Sequence, residues 1–372
     1  MNLLFMSGNL CDGGAQRVIS VVSSKLADRG HDVSLILYAR NKKEYPLSDK
    51  VKIYSLGNSF EEYSKLSEFK RVKMLRVLLK QIKPDAAVGF LEGGYGLYLS
   101  SFGMKFSKIA SARIDPQYIL NAKGLRAKIN LRWFAAADAV VLQTTEQADH
   151  VAHMSWRNKT VIANPVSQFA LEYPEHDYEK PCKRIVMAGR LDDQKNYKMA
   201  IKAMKMVHER YPDVILDIFG KGGEEANLRD FIESNGLEGC VTLKGWSQNV
   251  TEEYAKSDIY LMTSNYEGMP NALMEAMAVG LPCISTDCPT GPSDLIKDGV
   301  NGYLVPVADS KALANRILKI ISMEPSERKK LGLAAHYTMS EYFNENVIAK
   351  KWEELFKQLC KLEDKYENSR ND

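Results

Sequence analysis

The stretch LLFMSGNLCDGGAQRVISVVSSKLADRGHDVSLILY, residues 3–38, decides the fold. Leu3–Met6 is an apolar run of strand length. The loop SGNLCDGGA follows, and Gln16–Asp28 has a helical apolar pattern that stops before Gly30. Val33–Tyr38 is a second apolar run. A strand, a helix and a strand in this order predict a parallel sheet. Outward from there, Ala86–Leu91, Lys108–Ala112, Ala139–Gln143 and Val161–Ala163 read as strands. Residues 67–83 and Leu125–Ala136 read as helices.

At Asn164-Pro165 the texture changes. Pro165, Pro174 and Pro181 lie among charged residues with little periodicity, so 166–183 reads as a linker. The alternation then resumes. Arg184–Ala188, Val214–Phe219, Val241–Lys244, Ile259–Thr263 and Pro282–Thr286 read as strands separated by helices. The expected organisation is a doubly wound domain over 1–165, a linker, a second over 184–344, and a terminal helix within 345–372. That helix is expected over Glu345–Leu362, followed by a frayed polar tail that ends the chain.

The 372 residues carry a net charge of +3, with 45% apolar and 26% charged residues. This mix excludes disorder, collagen-like and coiled-coil chains. The net charge conceals a split. Residues 1–165 hold 24 Lys+Arg against 14 Asp+Glu, and the remainder holds 26 against 33. The six cysteines form no C-x-x-C pair, as in a reduced cytoplasmic protein. MNLLFMSGNL has no basic leader, and the apolar stretch 86–104 is interrupted by five glycines. A soluble chain is expected.

Three loops carry candidate chemistry. Gly13-Gly14 opens the first helix, where free N–H groups and a bare backbone suit an anion, or simply a βα turn. Arg190 and Lys195 follow a strand in GRLDDQKN, placing two cations at a sheet edge where phosphate can bind. YEGMPNALME, 266–275, has Pro270 suited to a first helical turn, with Glu267 before it and Glu275 two turns on. Asn271 shares a face with Glu275. Carboxylates there can accept from sugar hydroxyls, or merely complement a helix dipole. The helix at 67–83 puts Val72, Leu75, Leu79 and Ile82 on one face and Lys70, Lys73, Arg76 and Lys80 on the other. A cationic stripe of this kind attracts anionic headgroups or diphosphates, and is equally a solvated face. No Asp-x-Asp occurs, and His150 and His153 lack a third ligand nearby, so no metal is expected. Nucleic acid has no signature.

Taken together, the Glu267/Glu275 pair, the Arg190-x4-Lys195 signal, Gly13-Gly14, Asn164-Pro165-Val166 and GPSDLIKDGVNGYLV (291–305) resemble the retaining glycosyltransferases of family 4. The resemblance spans nearly the whole chain. It implies the GT-B fold, two Rossmann-like domains facing across a cleft. It implies that Glu275 holds the ribose of a nucleotide sugar, Glu267 contacts the donor sugar, and Arg190 and Lys195 neutralise the diphosphate. Gly13, Gly14, Gly268, Met269 and Asn271 would line the donor pocket. Arg113 and Asp115 stand where close relatives carry a Ser-Glu-His or Ser-Glu-Arg run, and become acceptor-side candidates or a strand-end turn. The implied activity is metal-independent transfer of a hexose or N-acetylhexosamine from a UDP-sugar, with no cofactor. The implied acceptor is a sugar hydroxyl on a polyprenyl-diphosphate-linked glycan, in O-antigen or capsule assembly. The implied location is cytoplasmic, peripheral on the inner face of the membrane. The alternatives are an epimerase of UDP-N-acetylhexosamine on the same fold, and a non-catalytic polyanion- or membrane-binding protein.

Overall fold

The computed structural model describes residues 1–371 apart from Asp12, Lys42, Lys43, Leu91, Ala122, Pro174 and Glu175, and without the side chains of Glu92, Arg126 and 362–371. Two compact units divide the chain: residues 1–165 with 345–372, and residues 166–344.

The first unit holds strands β1 (Asn2–Ser7), β2 (Asp32–Ala39), β3 (Lys52–Gly57), β4 (Ala86–Phe90), β5 (Ser107–Ser111), β6 (Ala139–Leu142) and β7 (Lys159–Val161). Its helices are α1 (Gly14–Asp28), α2 (Phe60–Ser64), α3 (Glu68–Ile82), α4 (Glu92–Ser100), α5 (Pro116–Asn121), α6 (Leu125–Ala136) and α7 (Thr145–His150). The strands lie in the order β3-β2-β1-β4-β5-β6-β7, all parallel. Leu3, Leu4, Phe5 and Met6 are fully buried, as the unbroken apolar runs of a sheet covered on both faces require.

The second unit begins with α8 (Gln168–Leu171). Its strands are β8 (Arg184–Ala188), β9 (Ile215–Phe219), β10 (Val241–Gly245), β11 (Ile259–Met262), β12 (Cys283–Thr286) and β13 (Tyr303–Val305). Helices α9 (Tyr197–His208), α10 (Glu225–Ser234), α11 (Val250–Ala255), α12 (Asn271–Ala278), α13 (Pro292–Leu295), α14 (Ser310–Ile321) and α15 (Pro325–Tyr342) connect and cover them. The parallel order is β10-β9-β8-β11-β12-β13. In each unit the first strand lies beside the fourth, so the strand order reverses between them. Loops at the carboxyl ends of those two strands diverge and leave room for a ligand.

Residues 166–183 are not a free linker. Val166 donates to Phe343 O, and the buried Tyr178 hydroxyl donates to Gly280 O at 2.6 Å. The described part of this segment therefore packs on the second unit; Pro174 lies outside the described residues. β3, α2 and α5 have no counterpart in the sequence reading, and the seventh strand starts two residues earlier than expected.

The last helix, α16 (Glu345–Asn371), returns to the first unit and runs beyond the expected Leu362. Trp352 is fully buried, 6.0 Å from the Phe90 ring and 6.5 Å from Phe5. Beside it Glu353 accepts from Arg29 Nε at 2.8 Å and Lys357 Nζ at 2.6 Å, with His31 at 3.4 Å. Lys357 foremost, with Arg29, holds this carboxyl down at about 2. A depressed carboxylate contributes stability that is complete above its unfolded pKa and lost as pH falls through its folded one. Glu353→Gln should therefore cost about 2 kcal/mol at pH 7, a partly buried pair being worth less than a fully buried one. Urea titrations should show the gap to wild type closing as pH drops from about 4.5 toward 2. A gap independent of pH would show that the charge is not what matters.

Candidate functional site

The reversal in the second unit falls between β8 and β11. Each strand runs into a loop that carries one residue of the candidate site. After β8, Asp192 accepts from Lys195 N and winds Asp193–Lys195 into one 3-10 turn. Asn196, in the left-handed region at φ 46°, then starts α9. After β11, Thr263–Asn265 leads to Glu267 and into α12.

The two loops are stitched together. Thr263 Oγ1 donates to Lys195 O at 2.9 Å, Asn265 N to Gln194 O at 2.8 Å, and Gln194 Nε2 to Tyr266 O at 2.9 Å. The result is a short ion pair. Lys195 Nζ lies 2.6 Å from Glu267 Oε1, with side chains 17% and 8% exposed. Ser264 Oγ donates to the same carboxylate oxygen at 2.6 Å.

Neighbouring loops brace the pair. A Cβ on Gly220 would lie 1.8 Å from Gly189 O, so only glycine lets the loop after β9 back so closely onto the one after β8. On the other side Glu267 N donates to Pro289 O at 3.1 Å, and Thr290 Oγ1 donates to Glu267 O. Gly291, at φ 101°, could not carry a Cβ either, because Gly268 O and Pro270 Cδ would each be 2.8 Å away. The GPSDLI stretch thus shapes the Glu267 loop from behind. Burial pushes the Cys288 thiol beside it up to about 12, so it stays protonated and is no nucleophile.

The other predicted donor residues are spread along this edge. Arg190 differs from Lys195: its side chain is 75% exposed and pairs only within its own loop, with Asp192 at 3.2 Å and Gln194 at 3.3 Å. Pro270 does not sit in the first turn but caps α12, with extended φ and ψ, and Asn271 is the first helical residue. Glu275 is therefore the fifth residue of α12 and buried, while Glu267 lies outside the helix. Neither carboxylate sits in the first turn to complement a dipole. Met269 is buried and Gly268 packs against Gly291. Thr263, Ser264, Asn265 and Thr290 were not singled out by sequence. Their signal is weak, a Thr-Ser-Asn run after an apolar strand.

In the first unit Gly13 caps α1 in an extended conformation and Gly14 is exposed at its N-terminus, while Asp12 lies outside the described residues. Arg113 is largely buried and lines a cavity of about 260 Å³ beside Ser111 and Ile114. It donates to Ser111 Oγ at 2.8 Å and Asn164 Oδ1 at 2.9 Å, and lies over the Phe90 ring at 4.8 Å. Burial without a carboxylate lowers its pKa to about 9. Asp115, also buried, accepts from Gln117 N and contacts His150 Nδ1 at 3.2 Å, so it shapes the turn into α5. On α3, Lys70, Lys73 and Lys80 are exposed, as are Phe69 and Val77. Arg76 instead donates to the carbonyls of Ser100 and Phe102 and presents the exposed Phe102. Among the described residues no three His, Cys, Asp or Glu could hold one metal ion. Nor, among them, is any helix long and apolar enough to cross a membrane.

Residues 174–336 match the family model for glycosyl transferases group 1, over the span that holds Lys195, Glu267 and Glu275. These residues form a group 1 glycosyl transferase domain. Beyond the group 1 domain, two relatives resemble nearly the whole chain. The amylovoran biosynthesis glycosyltransferase AmsD of Erwinia amylovora is 29% identical over 95% of this chain and 98% of its own. The Campylobacter jejuni alpha-1,4-N-acetyl-D-galactosaminyltransferase named for a diNAcBac-PP-undecaprenol glycan is 29% identical over 89% and 91%. In fold the chain is similar to sucrose-phosphate synthase of Thermosynechococcus elongatus, with TM-score 0.80, 19% identity, and 96% and 98% coverage. It is also similar to Anabaena HepE solved with UDP, with TM-score 0.79, 18% identity, and 96% and 100% coverage. The fold is GT-B, and the group 1 domain is its second unit.

If the buried pair organises the group 1 loops, removing one partner must leave the other charge stranded. Lys195→Met should destabilise the protein by about 3 kcal/mol, as breaking a buried ion pair does. Adding Glu267→Gln should restore more than half. A thermodynamic cycle from denaturant curves checks this, and additive losses would show that the two side chains are not coupled.

Proposed function

We propose that this protein is a retaining glycosyltransferase. It moves a hexose or N-acetylhexosamine from a UDP-sugar to a sugar hydroxyl on a lipid-linked glycan, in cell-surface polysaccharide assembly. The observation that carries the reading is the buried Lys195–Glu267 pair on the two loops that flank the strand reversal. The UDP held by HepE and the polysaccharide and undecaprenyl substrates in the relatives' names support the donor and acceptor classes.

Lysine has three N–H donors, so Nζ can keep Glu267 and still donate to a phosphate oxygen. Arg190, solvent-facing on the same loop, adds a second cation that can swing onto the diphosphate. Glu275 takes the ribose hydroxyls, and Gly268, Met269 and Asn271 contribute backbone groups to the sugar and phosphate pocket. Gly13 and Gly14 offer N–H groups to the donor phosphates. In the reaction the bond from the anomeric carbon to phosphate breaks, and UDP leaves with the electron pair. The acceptor oxygen bonds to the same carbon on the same face, and its proton passes to the departing phosphate. Lys195 and Arg190 stabilise the charge that grows on that phosphate, the task a divalent cation performs elsewhere. No cofactor and no metal is needed. Arg113 and Asp115 shape the acceptor side indirectly, through the Ser111 and α5 turns.

On α3, Lys70, Lys73 and Lys80 would meet anionic lipid while Phe69 and Phe102 enter the interface, Arg76 holding the latter in place. Each basic residue near such a surface adds about 1 kcal/mol. The setting is then cytoplasmic, at the inner face of the membrane.

Release of UDP from a panel of UDP-sugars, with and without glycan acceptors, tests the activity. Glu267→Gln should lose about a hundredfold or more in turnover, the range for one transition-state contact, with its UDP affinity within a few-fold of wild type. Normal turnover in that variant would remove Glu267 from the site. Rapid turnover of donor with no acceptor present, yielding an epimer, would point to the epimerase instead. Replacing Lys70, Lys73 and Lys80 by Gln should abolish salt-dependent binding to anionic vesicles. Unchanged binding would move the membrane face elsewhere.

A further inference from the structure

The first unit contains a cavity of about 660 Å³ at the carboxyl ends of β1, β2 and β3. None of the candidate donor or acceptor residues above lines it, although Val72 and Leu75 of α3 do. Its floor is Tyr38, stacked on Tyr63 with ring centroids 5.3 Å apart and planes 17° apart. Tyr95 and Phe60 continue the aromatic wall. Phe60 is 74% exposed, although its ring centroid lies only 6.4 Å from that of Tyr63. At the mouth of the cavity this exposed ring offers a face to a ligand. The cavity's polar lining includes the side-chain amides of Asn9, Gln16 and Asn41 beside Arg40, Arg71 and Glu68.

The charged groups at this cavity are largely engaged within its wall. Arg40 is held by Glu44, with Nε 2.9 Å and 3.0 Å from the two carboxylate oxygens. Arg71 lies over the Tyr63 ring at 4.0 Å and donates to the carbonyls of Tyr63 and Ser64. The Glu68 carboxylate accepts from the Tyr95 hydroxyl. Arg40 is thus neutralised by Glu44, whereas Arg71 is held by carbonyls and a ring, and its buried Nε keeps an N–H without a hydrogen-bond partner that a ligand hydroxyl can take.

We infer that this cavity binds a neutral pyranose residue, its C–H face on Phe60 and Tyr63 and its hydroxyls on Glu68 and the amide rim. A pyranose has one apolar face and a rim of hydroxyls, which is the complement of what the cavity presents. The volume accommodates more than one sugar ring. On the transferase reading above, on which the acceptor role rests, this is where a sugar of the acceptor is held. The acceptor's diphosphate, if it has one, lies outside this cavity.

Saturation-transfer NMR on the full chain tests the inference. The probes are the methyl α-glycosides of glucose, galactose and N-acetylglucosamine at about 10 mM, enough to load a site of ~1 mM affinity. At least one should receive saturation on its ring C–H protons. Phe60→Ala, a change at an exposed side chain, and Glu68→Gln should each cut that signal at least about threefold, whereas Glu267→Gln should leave it in place. Inorganic pyrophosphate should not displace the glycoside. Absence of transfer to all three probes, transfer indifferent to Phe60 and Glu68, or displacement by pyrophosphate would each overturn the assignment. UDP-sugar turnover is read on the same samples. Turnover without glycoside binding sinks this cavity alone, and glycoside binding without turnover sinks the transferase reading alone.

Discussion

A lysine and a glutamate 2.6 Å apart at the end of a parallel sheet set the terms for the second unit. Neither charge could be buried alone, because removing an ion from water costs several kcal/mol that only a well-placed partner offsets. The pair therefore needs two loops from non-consecutive strands to arrive together. Hydrogen bonds from Thr263, Gln194 and Asn265 bring them there, and Gly220 and Gly291 let their neighbours close in behind. The ion pair is less a source of stability than a constraint that fixes where each loop can go.

The same topology explains why both units are built alike and carry different chemistry. Each has its first strand beside its fourth, and each leaves an opening at the carboxyl edge. In the second unit that edge carries cations and carboxylates suited to a charged leaving group. In the first, the nearby cavity carries aromatic rings and side-chain amides, with Arg40 held by Glu44. The +3 net charge and the basic excess before residue 165 say little about this, since the decisive groups act over a few ångströms. The exposed lysines of α3 contribute to that basic excess.

Most of the fold was legible in the sequence, because buried parallel strands are short continuous apolar runs between helices of clear periodicity. β3, Lys52–Gly57, escaped because KIYSLG is half polar, being an edge strand with one partner. The segment 166–183 misled because prolines and charges read as a linker while Tyr178 and Val166 tie it to the second unit. Glu267, Glu275 and Lys195 were legible from spacing and resemblance. Their mutual geometry was not, since Lys195 and Glu267 are 72 residues apart and meet only through the strand reversal. Arg113 and Asp115 were legible as acceptor-side candidates or a strand-end turn; their burial was not, because a charged residue after a strand gives no sign of which side chains will close over it. The aromatic cavity was invisible for the same reason: Tyr38, Phe60, Tyr63 and Tyr95 look like core residues until the fold leaves one of them open.

The central claim is that Lys195 and Glu275 in the second unit hold the diphosphate and ribose of a uridine nucleotide. Calorimetric titration of UDP into the wild-type protein, Lys195→Ala and Glu275→Ala tests it directly. The account predicts saturable binding by the wild type and an affinity at least about tenfold weaker, some 1.4 kcal/mol, in each variant. Wild-type affinity in both folded variants, or no UDP binding by the wild type, would contradict it.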